Sequence, residues 1–283
     1  MVWLSTPMGR FNADAGPDPL EGMLADADQV AARRRRRGRP LGPAPKQSVL
    51  VEGAGRLGAH TATLLARMGV PLKVVDRDVV ESRNLDMNST PFRPKDIGLP
   101  KALALKGYLA EMAPGVPVEA FQADLLLMPD EDLLALARST GIVLGLIDNG
   151  QVLFKTNSLC YDYRPVIYAA GHHGARTGDV LVSRPGHACL RCLLNIDSPN
   201  QIQTLDGEPT HGLDILSIAH LCAKVVLALL GDHRLGNPRE VFDPDQANFL
   251  FLENRLAPGN PGNLPPRSLR IERRPQCPVC GGT

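Results

Sequence analysis

The stretch SVLVEGAGRLGAHTATLLARMGVPLKVVDRD, residues 48–78, decides the fold of this chain. The apolar run Ser48–Glu52 predicts a buried strand, and the spacing of apolar residues over Leu57–Met68 predicts a helix. A second apolar run, Pro71–Val75, predicts another strand. A strand, a glycine-rich turn, a helix and a second strand in this order form a βαβ unit, so we expect two parallel neighbouring strands.

The glycine-rich turn consists of Gly53-Ala54-Gly55-Arg56-Leu57-Gly58. Gly53 and Gly55 allow a tight turn and a close approach of the backbone to phosphate, and Gly58 lets the helix pack near the strand. The helix N-terminus adds backbone N–H groups and a positive partial charge. Asp76 ends the second strand, where its carboxylate can accept both hydroxyls of a ribose. The pattern predicts an adenine-nucleotide site and leaves open NAD, ATP or a purely structural turn.

The rest of the chain alternates further predicted strands and helices. The strands are Val116–Gln122, Gly141–Ile147 and Val166–Ala170, and the helices are Lys101–Met112, Asp130–Ala137 and Gln151–Tyr161. This alternation predicts a doubly wound, mostly parallel, Rossmann-like α/β sheet with helices on both faces. Gly178–Arg184 predicts an antiparallel strand at the edge of the sheet. Leu213–Leu230 predicts the longest helix, and its apolar character indicates packing inside the protein or at an interface.

Composition narrows the class of protein. The chain has 283 residues and a formal net charge of +1, which gives no global bias towards nucleic acid or membrane surfaces. No uninterrupted apolar run reaches the ~18 residues of a membrane helix, and the start lacks a basic-then-apolar signal pattern. We therefore expect a cytoplasmic location. In that compartment the six cysteines are expected to be free or metal-bound rather than paired in disulfides.

The first 46 residues differ in composition from the rest. Residues 1–46 are predicted to be a flexible, basic N-terminal extension, and residues 47–283 the folded domain. The extension contains the arginine run Arg33–Arg37 and a further arginine, Arg39. These arginines are typical of a solvated tail, and the open alternatives are a nucleic-acid contact or delivery of a cation to a phosphate site.

Four of the cysteines form two Cys-x-x-Cys pairs: Cys189 with Cys192, and Cys277 with Cys280. Four thiolates complete a tetrahedral zinc shell and leave no position open for water, so the pattern predicts a structural Zn²⁺ that pins the C-terminal tail to the domain. The alternative is two unrelated redox or surface pairs. Cys160 and Cys222 lie in apolar helical patterns and are predicted to be core thiols.

Three further motifs follow the glycine-rich turn. They are DRDVVESRNL at Asp76–Leu85, FRPKDIGLPKA at Phe92–Ala102, and Asp148-Asn149 at the carboxyl end of a predicted strand. Together with the glycine turn and the two cysteine pairs, this order resembles the E1-like adenylating family. That family includes the ThiF, MoeB and HesA proteins and the adenylation domains of ubiquitin-activating enzymes. The resemblance covers roughly residues 47–283.

The resemblance implies an adenylyltransferase that uses ATP without a Walker P-loop. The C-terminal carboxylate of a ubiquitin-like or sulfur-carrier protein, usually with a Gly-Gly tail, attacks the α-phosphate of ATP. The products are an acyl-adenylate and pyrophosphate. Positioning and charge neutralisation carry such a reaction. The family also implies a homodimer, which agrees with the apolar Leu213–Leu230 helix.

The resemblance also assigns roles to particular residues. Asp76 would hold the ribose, Asn84 would face the phosphates and Lys101 would neutralise phosphate charge. Asp148 would bind Mg²⁺ at the α-phosphate, and a strand-end carboxylate is chemically suited to that ion. From the residues alone, Asp148 could instead cap a helix, and Lys101 could be an exposed helix lysine.

The chain departs from the family pattern in its arginines. Arg56 replaces the usual third glycine of the turn and could reach phosphate or narrow the pocket. Met87 or Asn88, the latter predicted to lie at the nucleotide, stands where the family has an arginine. Leu153 replaces a second arginine, with Lys155 nearby. The cations that could compensate are Arg56, Arg83, Arg93 and an arginine of the N-terminal run.

The segment Leu193–His211 contains no cysteine, although many family members carry there a cysteine that forms a covalent intermediate. The sequence therefore predicts adenylation without an enzyme thioester. The missing arginines favour one alternative, a catalytically degenerate module that binds a nucleotide or a partner. An NAD-dependent dehydrogenase shares the glycine turn, but the cysteine pairs and Asp148-Asn149 argue against it.

Overall fold

The computed structural model describes residues 45–85, 90–198, 212–254 and 266–281. Its strands are β1 (Val49–Glu52), β2 (Leu72–Asp76), β3 (Val118–Gln122), β4 (Ile142–Gly145), β5 (Val166–His172), β6 (Thr177–Ser183), β7 (Phe249–Glu253) and β8 (Arg267–Leu269). Its α-helices are α1 (Arg56–Arg67), α2 (Lys101–Met112), α3 (Asp130–Arg138), α4 (Gly150–Cys160), α5 (Leu190–Leu194), α6 (Gly212–Leu229) and α7 (Pro238–Val241).

The strands form one sheet in the order β3-β2-β1-β4-β5-β6-β7-β8. The first five strands are parallel, and β1 pairs with β2 through Val49 and Leu72 and with β4 through Val49 and Ile142. The chain leaves β1 towards β2 and β3 and later returns to β4 on the other side. The carboxyl ends of β1 and β4 therefore border a crevice, the usual ligand position in such sheets.

The antiparallel part of the sheet is larger than the sequence indicates. The strand β6 pairs with β5 on one side and with β7 on the other, so the prediction of an edge strand at Gly178–Arg184 is wrong. The strand β8 forms the edge of the described sheet. All three of its residues are exposed, so it carries no apolar pattern from which a strand could be predicted.

Helices cover both faces of the sheet, as predicted. Successive residues of a strand point to opposite faces, and in β1 Val49 and Val51 join one apolar core while Leu50 joins the other. The first core lies under α1, α2 and α6. The second core lies under α3 and α4. This arrangement is the doubly wound α/β fold.

The helix α6 is long and apolar enough to cross a membrane by length and composition, with a mean hydropathy of 1.8 over its 18 residues. The expectation drawn from uninterrupted apolar runs missed this property because polar residues interrupt the helix. Half of it is buried, and it packs against α1, β5 and β6. Its exposed residues Leu213, Ser217, His220 and Lys224 follow helical spacing, and all but Leu213 are polar. These features are those of a core helix.

The described residues belong to one unit, Pro43–Thr283. Of the predicted N-terminal extension, residues 1–46, only the last two fall within the described part, and the arginine run lies outside it. The division into an extension and a domain that begins at residue 47 therefore stays a prediction.

Candidate functional site

The glycine loop, Gly53–Gly58, connects β1 to α1 at the carboxyl edge of the sheet. Gly53 has a φ of +96°, and a Cβ there would lie 2.8 Å from the carbonyl oxygen of Leu146. A Cβ on Gly58 would lie 2.0 Å from the carbonyl oxygen of Gly53. At Gly55 a Cβ would meet nothing within 4 Å. Gly53 and Gly58 are thus required by the fold, whereas Gly55 presents open space to a ligand.

The helix α1 begins at Arg56, directly after Gly55. Its N-terminal backbone N–H groups lie at the carboxyl edge of β1 and carry a positive partial charge. Arg56 is half-buried at this end of the helix. The helix N-terminus and the open surface at Gly55 together form a surface suited to anions, called the anion-binding surface below, and nucleotide binding there stays a prediction.

Asp76 fixes the glycine loop to the end of β2. Its Oδ2 accepts a hydrogen bond from the backbone N–H of Ala54 at 2.6 Å, and its Oδ1 accepts one from the N–H of Asp78 at 2.8 Å. Burial raises the pKa of Asp76, while these two N–H donors and Lys101 oppose the rise. The carboxylate lies in the crevice where the sequence placed it, and its contact with a ribose stays a prediction.

Lys101, the first residue of α2, faces the same crevice. Its Nζ lies 2.8 Å from Oδ2 of Asp78, and its side chain is only 12% exposed. The backbone N–H of Lys101 also donates to the carbonyl oxygen of Asp78 at 2.8 Å. The alternative of an exposed helix lysine is therefore wrong, because the ammonium group is held over the end of β2.

Arg77 links the ends of β2 and β3. Its Nη1 lies 3.0 Å from Oδ2 of Asp124, and its Nε lies 3.6 Å from Oδ1 of Asp78. The hydrogen bond to Asp124 raises the pKa of Arg77, and the same bond lowers the pKa of Asp124. The negative charge of Asp148 also favours the charged guanidinium. The charged groups Asp76, Arg77, Asp78, Lys101, Asp124 and Asp148 are called the crevice cluster below.

Sequence reasoning gave no role to Arg77, Asp78 or Asp124. The signal available in the sequence was that Arg77 and Asp124 lie two residues, and Asp78 three residues, after the end of a predicted strand. The register that brings them together, with Asp76 opposite Gln122 in the β2–β3 pair, is a property of the folded sheet.

Asp148 follows β4 and is exposed at the crevice. The neighbouring Asn149 caps α4, because its Oδ1 accepts hydrogen bonds from the N–H groups of Gln151 at 3.0 Å and Val152 at 3.2 Å. The alternative of Asp148 as the helix cap is therefore wrong. The carboxylate of Asp148 remains exposed at the crevice beside the sheet's switch point, which suits a metal ligand.

Asn84 lies in the 3₁₀ turn Ser82–Leu85. Its Oδ1 accepts a hydrogen bond from the N–H of Glu81 at 2.9 Å, and its carbonyl oxygen accepts one from the hydroxyl of Thr90. These bonds close the turn, so the contact of Asn84 with phosphates stays a prediction. Asn88 lies outside the described residues.

Three of the cations considered from the sequence are engaged elsewhere. Lys155 donates to the carbonyl oxygens of Leu126 and Met128 and pairs with Asp130. Arg83 pairs with Glu81 at 2.6 Å, and Arg93 pairs with Glu111 on α2 at 2.6 Å. These cations hold local structure around the crevice.

A buried glutamate that sequence reasoning missed lies directly before the glycine loop. Glu52 is fully buried, and both of its carboxyl oxygens lie 2.9 Å from Oγ1 of Thr156 on α4. Burial raises the pKa of Glu52 to about 8, against the opposing hydrogen bond from Thr156. The hydroxyl group of Thr156 has one proton and can donate it to only one of the two carboxyl oxygens. The other contact is a hydrogen bond if the carboxyl group of Glu52 is protonated and donates to Oγ1 of Thr156, so a neutral carboxyl group fits this geometry.

The four cysteines of the two pairs come together between the start of α5 and the C-terminal tail. All are buried, and their sulfur atoms lie within 4.8 Å of one another: Cys189, Cys192, Cys277 and Cys280. The Sγ–Sγ distances are 3.6 Å for Cys189–Cys277 and 3.2 Å for Cys192–Cys280. A disulfide needs about 2.05 Å, whereas a tetrahedral zinc shell separates its sulfurs by about 3.8 Å. The cluster therefore has the form of a metal site.

Positively charged groups surround this cysteine cluster. The backbone N–H of Arg274 donates to Sγ of Cys192 at 3.3 Å, and Nη1 of Arg273 donates to the carbonyl oxygen of Cys280 at 3.1 Å. Burial disfavours the thiolate of Cys277, but backbone N–H donors outweigh burial and lower its pKa to about 6. A cavity of about 450 Å³ beside the cluster is lined partly by Arg270, Arg273 and Arg274. Arg270 pairs with Glu272 and Arg274 pairs with Asp197, whereas Arg273 contacts the cluster through the carbonyl oxygen of Cys280.

The family model described as "ThiF family" matches residues 44–279 of the chain. The chain belongs to the ThiF family. It is similar to "SAMP-activating enzyme E1" of Haloferax volcanii, with 28% identity over 235 residues, 82% of this chain and 80% of that protein. It is also similar to "Sulfur carrier protein adenylyltransferase" of Thermus thermophilus, with 28% identity over 250 residues and 83% of each chain.

Solved structures confirm the fold of this ThiF-family chain. Escherichia coli MccB in complex with AMPCPP and MccA covers 84% of this chain and aligns over 67% of its own length, with a TM-score of 0.65 and 20% identity. MccB with ATP gives a TM-score of 0.64 at 21% identity. The family match and the relatives' names confirm the predicted family and the predicted class, a ThiF-type adenylyltransferase.

Proposed function

We propose that this ThiF-family chain adenylates the C-terminal carboxylate of a ubiquitin-like or sulfur-carrier protein. The observation that carries the proposal is the crevice cluster beside the glycine loop, in which Lys101 and Asp148 lie on either side of the sheet's switch point. Relatives named as sulfur-carrier adenylyltransferase and SAMP-activating enzyme support the substrate class.

The proposed reaction is a displacement at phosphorus. A carboxylate oxygen of the partner protein forms a bond to the α-phosphorus of ATP, and the bond from that phosphorus to the β-phosphate oxygen breaks. Pyrophosphate leaves with the bonding electron pair, so the step needs no general base. The chain's contribution is to position the reactants and offset charge.

The glycine loop and α1 bind the phosphates through backbone N–H groups, and Asp76 keeps the loop in place while accepting the ribose hydroxyls. Lys101 places a compact cation at the phosphates, since Asp78 holds its ammonium group in the crevice. Asn84 contacts the phosphates from its turn. These groups orient ATP so that its α-phosphate faces the partner's carboxylate.

A magnesium ion fits the charge of the crevice. The crevice cluster contains four carboxylates and two cations, namely Asp76, Asp78, Asp124, Asp148, Arg77 and Lys101. Carboxylate oxygens in excess over cations suit Mg²⁺, and Asp148 would hold the ion. The ion supplies further neutralisation of phosphate charge when it is bound.

Structural zinc is the proposed occupant of the cysteine cluster. Four thiolates form a closed shell, so this ion would join the tail to α5 without taking part in the reaction. The distances between the sulfur atoms and the backbone N–H that donates to Cys192 support this assignment.

We further propose that no enzyme thioester forms. The chain has six cysteines, and the structure describes all of them. Four belong to the metal cluster, and burial raises the pKa of Cys160 and of Cys222 to about 12. None is therefore an exposed thiolate near the crevice, which is what a thioester would need. Thiol alkylation that spares the metal should leave adenylation intact.

We also propose that the chain forms a homodimer, that its partner protein ends in a Gly-Gly tail, and that the protein is cytoplasmic. The family resemblance supports the first two, and the cysteine usage supports the third. Each of these stays a prediction.

The test is ATP–pyrophosphate exchange with candidate carrier proteins. Asp148→Ala should abolish exchange, because it removes the proposed magnesium ligand, while Asp162→Ala serves as a matched control at an exposed aspartate after α4. Exchange that survives in Asp148→Ala would contradict the assignment. ATP binding without exchange for any carrier would instead support the degenerate binding module.

A further inference from the structure

We propose that Arg77 contacts the phosphates of the bound nucleotide, and that Asp124 is its positioning residue. The inference rests on the proposed function, because it concerns the same nucleotide site. Arg77 lies between Asp76 and Asp78, and the motif Asp76–Leu85 as described above gives it no role.

Arg77 shares one carboxylate with Lys101. Lys101 Nζ lies 2.8 Å from Oδ2 of Asp78, and Arg77 Nε lies 3.6 Å from Oδ1 of the same group. The two cations therefore lie on either side of a single side chain at the end of β2. A phosphate chain that reaches Lys101 lies beside the guanidinium, whose planar fork of N–H donors matches phosphate oxygens.

Asp124 fixes the direction of the guanidinium. Its Oδ2 accepts from Nη1 of Arg77 at 3.0 Å, while its Oδ1 accepts from the N–H of Leu126 at 2.9 Å. The carboxylate is thus anchored to the β3–α3 loop. One edge of the guanidinium is held, and the side chain of Arg77 is still 53% exposed, so its remaining donors are accessible to a ligand.

Other arginines near the crevice are less suited to this role. Arg93 is directed to Glu111 on α2, away from the strand ends, and Arg83 pairs with Glu81 with a side chain that is 79% exposed. Leu153 stands at the position where the family resemblance implies an arginine. Arg77 therefore adds a second side-chain cation beside Lys101 at the end of β2, in addition to Arg56 at the N-terminus of α1.

The competing interpretation is that Arg77 and Asp124 form only a structural ion pair between β2 and β3. Exposed pairs of this kind contribute little to stability. The two interpretations differ in what Arg77→Gln changes: a structural pair affects unfolding, whereas a phosphate contact affects ligands that carry phosphates.

The first experiment measures binding by calorimetry with two probes, ATP and adenosine, in the full-length protein. We expect Arg77→Gln to weaken ATP binding about tenfold and to leave adenosine binding unchanged, with Arg77→Lys in between. Arg67→Gln, an exposed arginine at the far end of α1, is the matched control and should bind both probes like the wild type. Equal ATP affinity in Arg77→Gln and wild type would overturn the inference.

A second experiment separates positioning from charge. Asp124→Asn should weaken ATP binding less than Arg77→Gln, and the double variant should be no weaker than Arg77→Gln alone, because Asp124 acts through Arg77. Additive losses would overturn the positioning role. Wild-type protein that binds ATP but shows no pyrophosphate exchange would refute the proposed function. The ATP affinities of wild type and Arg77→Gln would still decide the role of Arg77.

Discussion

At the residue scale, a buried carboxyl group directly before the glycine loop makes stability depend on pH. Burial raises the pKa of Glu52 from 4.5 to about 8, so the folded protein binds a proton that the unfolded chain has released between these values. The stabilisation associated with Glu52 is complete below about pH 4.5 and is lost as the pH rises to about 8.

Glu52→Gln should remove this loss, because glutamine keeps a hydrogen-bonding group of similar shape and does not ionise. We expect the variant to gain about 3–5 kcal/mol relative to wild type between pH 4.5 and pH 8.5. Denaturant unfolding of both proteins at the two pH values measures this difference. Parallel changes in the two proteins would show that Glu52 does not titrate in this range.

Gly58 and Gly55 have different roles in the glycine loop, and alanine substitutions separate them. Gly58→Ala should destabilise the protein by about 1–3 kcal/mol, because its Cβ would lie 2.0 Å from a carbonyl oxygen. Gly55→Ala should cost less than about 1 kcal/mol, since its position is open and its φ is −71°. It should nevertheless weaken ATP binding, as measured by calorimetry. Unchanged ATP affinity in Gly55→Ala would contradict the proposal that phosphates bind at the anion-binding surface.

At the element scale, periodicity was sufficient to predict the parallel half of the sheet. The buried strands β1 and β4 are short continuous apolar runs, and the helix α1 has apolar residues at helical spacing. Each of these local patterns indicates whether the segment is a strand or a helix. The exposed β8 has no such pattern, and its pairing with β7 was therefore missed. The edge position given to β6 was wrong because β7, the apolar strand that pairs with it, was not predicted.

The candidate-site residues that were predicted are those that the family motifs contain. Lys101 and Asp148 were assigned from the family resemblance, and the position of Asp148 after a strand suits a metal ligand. The Arg77–Asp124 pair depends on the register between β2 and β3, and Glu52 depends on packing of α4 against the sheet. Both are long-range properties that local sequence patterns do not contain.

The C-terminal tail is an element whose position should depend on metal. The cysteine cluster joins the tail to α5, and β8 adds only a short exposed strand pair. We expect one zinc per chain by elemental analysis and a melting temperature lowered by several degrees in Cys280→Ser, with faster proteolysis after β8. Cys222→Ser, a buried thiol outside the cluster, is the control for metal content. Metal-free protein with wild-type stability would contradict the zinc assignment.

At the scale of the whole molecule, the proposed reaction site and the cysteine cluster occupy different places. The proposed site lies at one edge of the sheet, and the cysteine cluster joins the C-terminal tail to α5. The crevice cluster lies at the carboxyl ends of the parallel strands, where the topology reverses between β1 and β4. The metal cluster lies where the tail meets α5. This separation agrees with a structural metal and a reaction carried by the crevice alone.

The most direct test of adenylation uses one carrier protein in two forms, with a free C-terminal carboxylate and with a C-terminal amide. The account predicts ATP–pyrophosphate exchange with the free carboxylate and none with the amide, because only the carboxylate can form the acyl-adenylate. Mass spectrometry of the free form should show the carrier with an added AMP group. Equal exchange with both forms, or with no carrier present, would contradict the central claim.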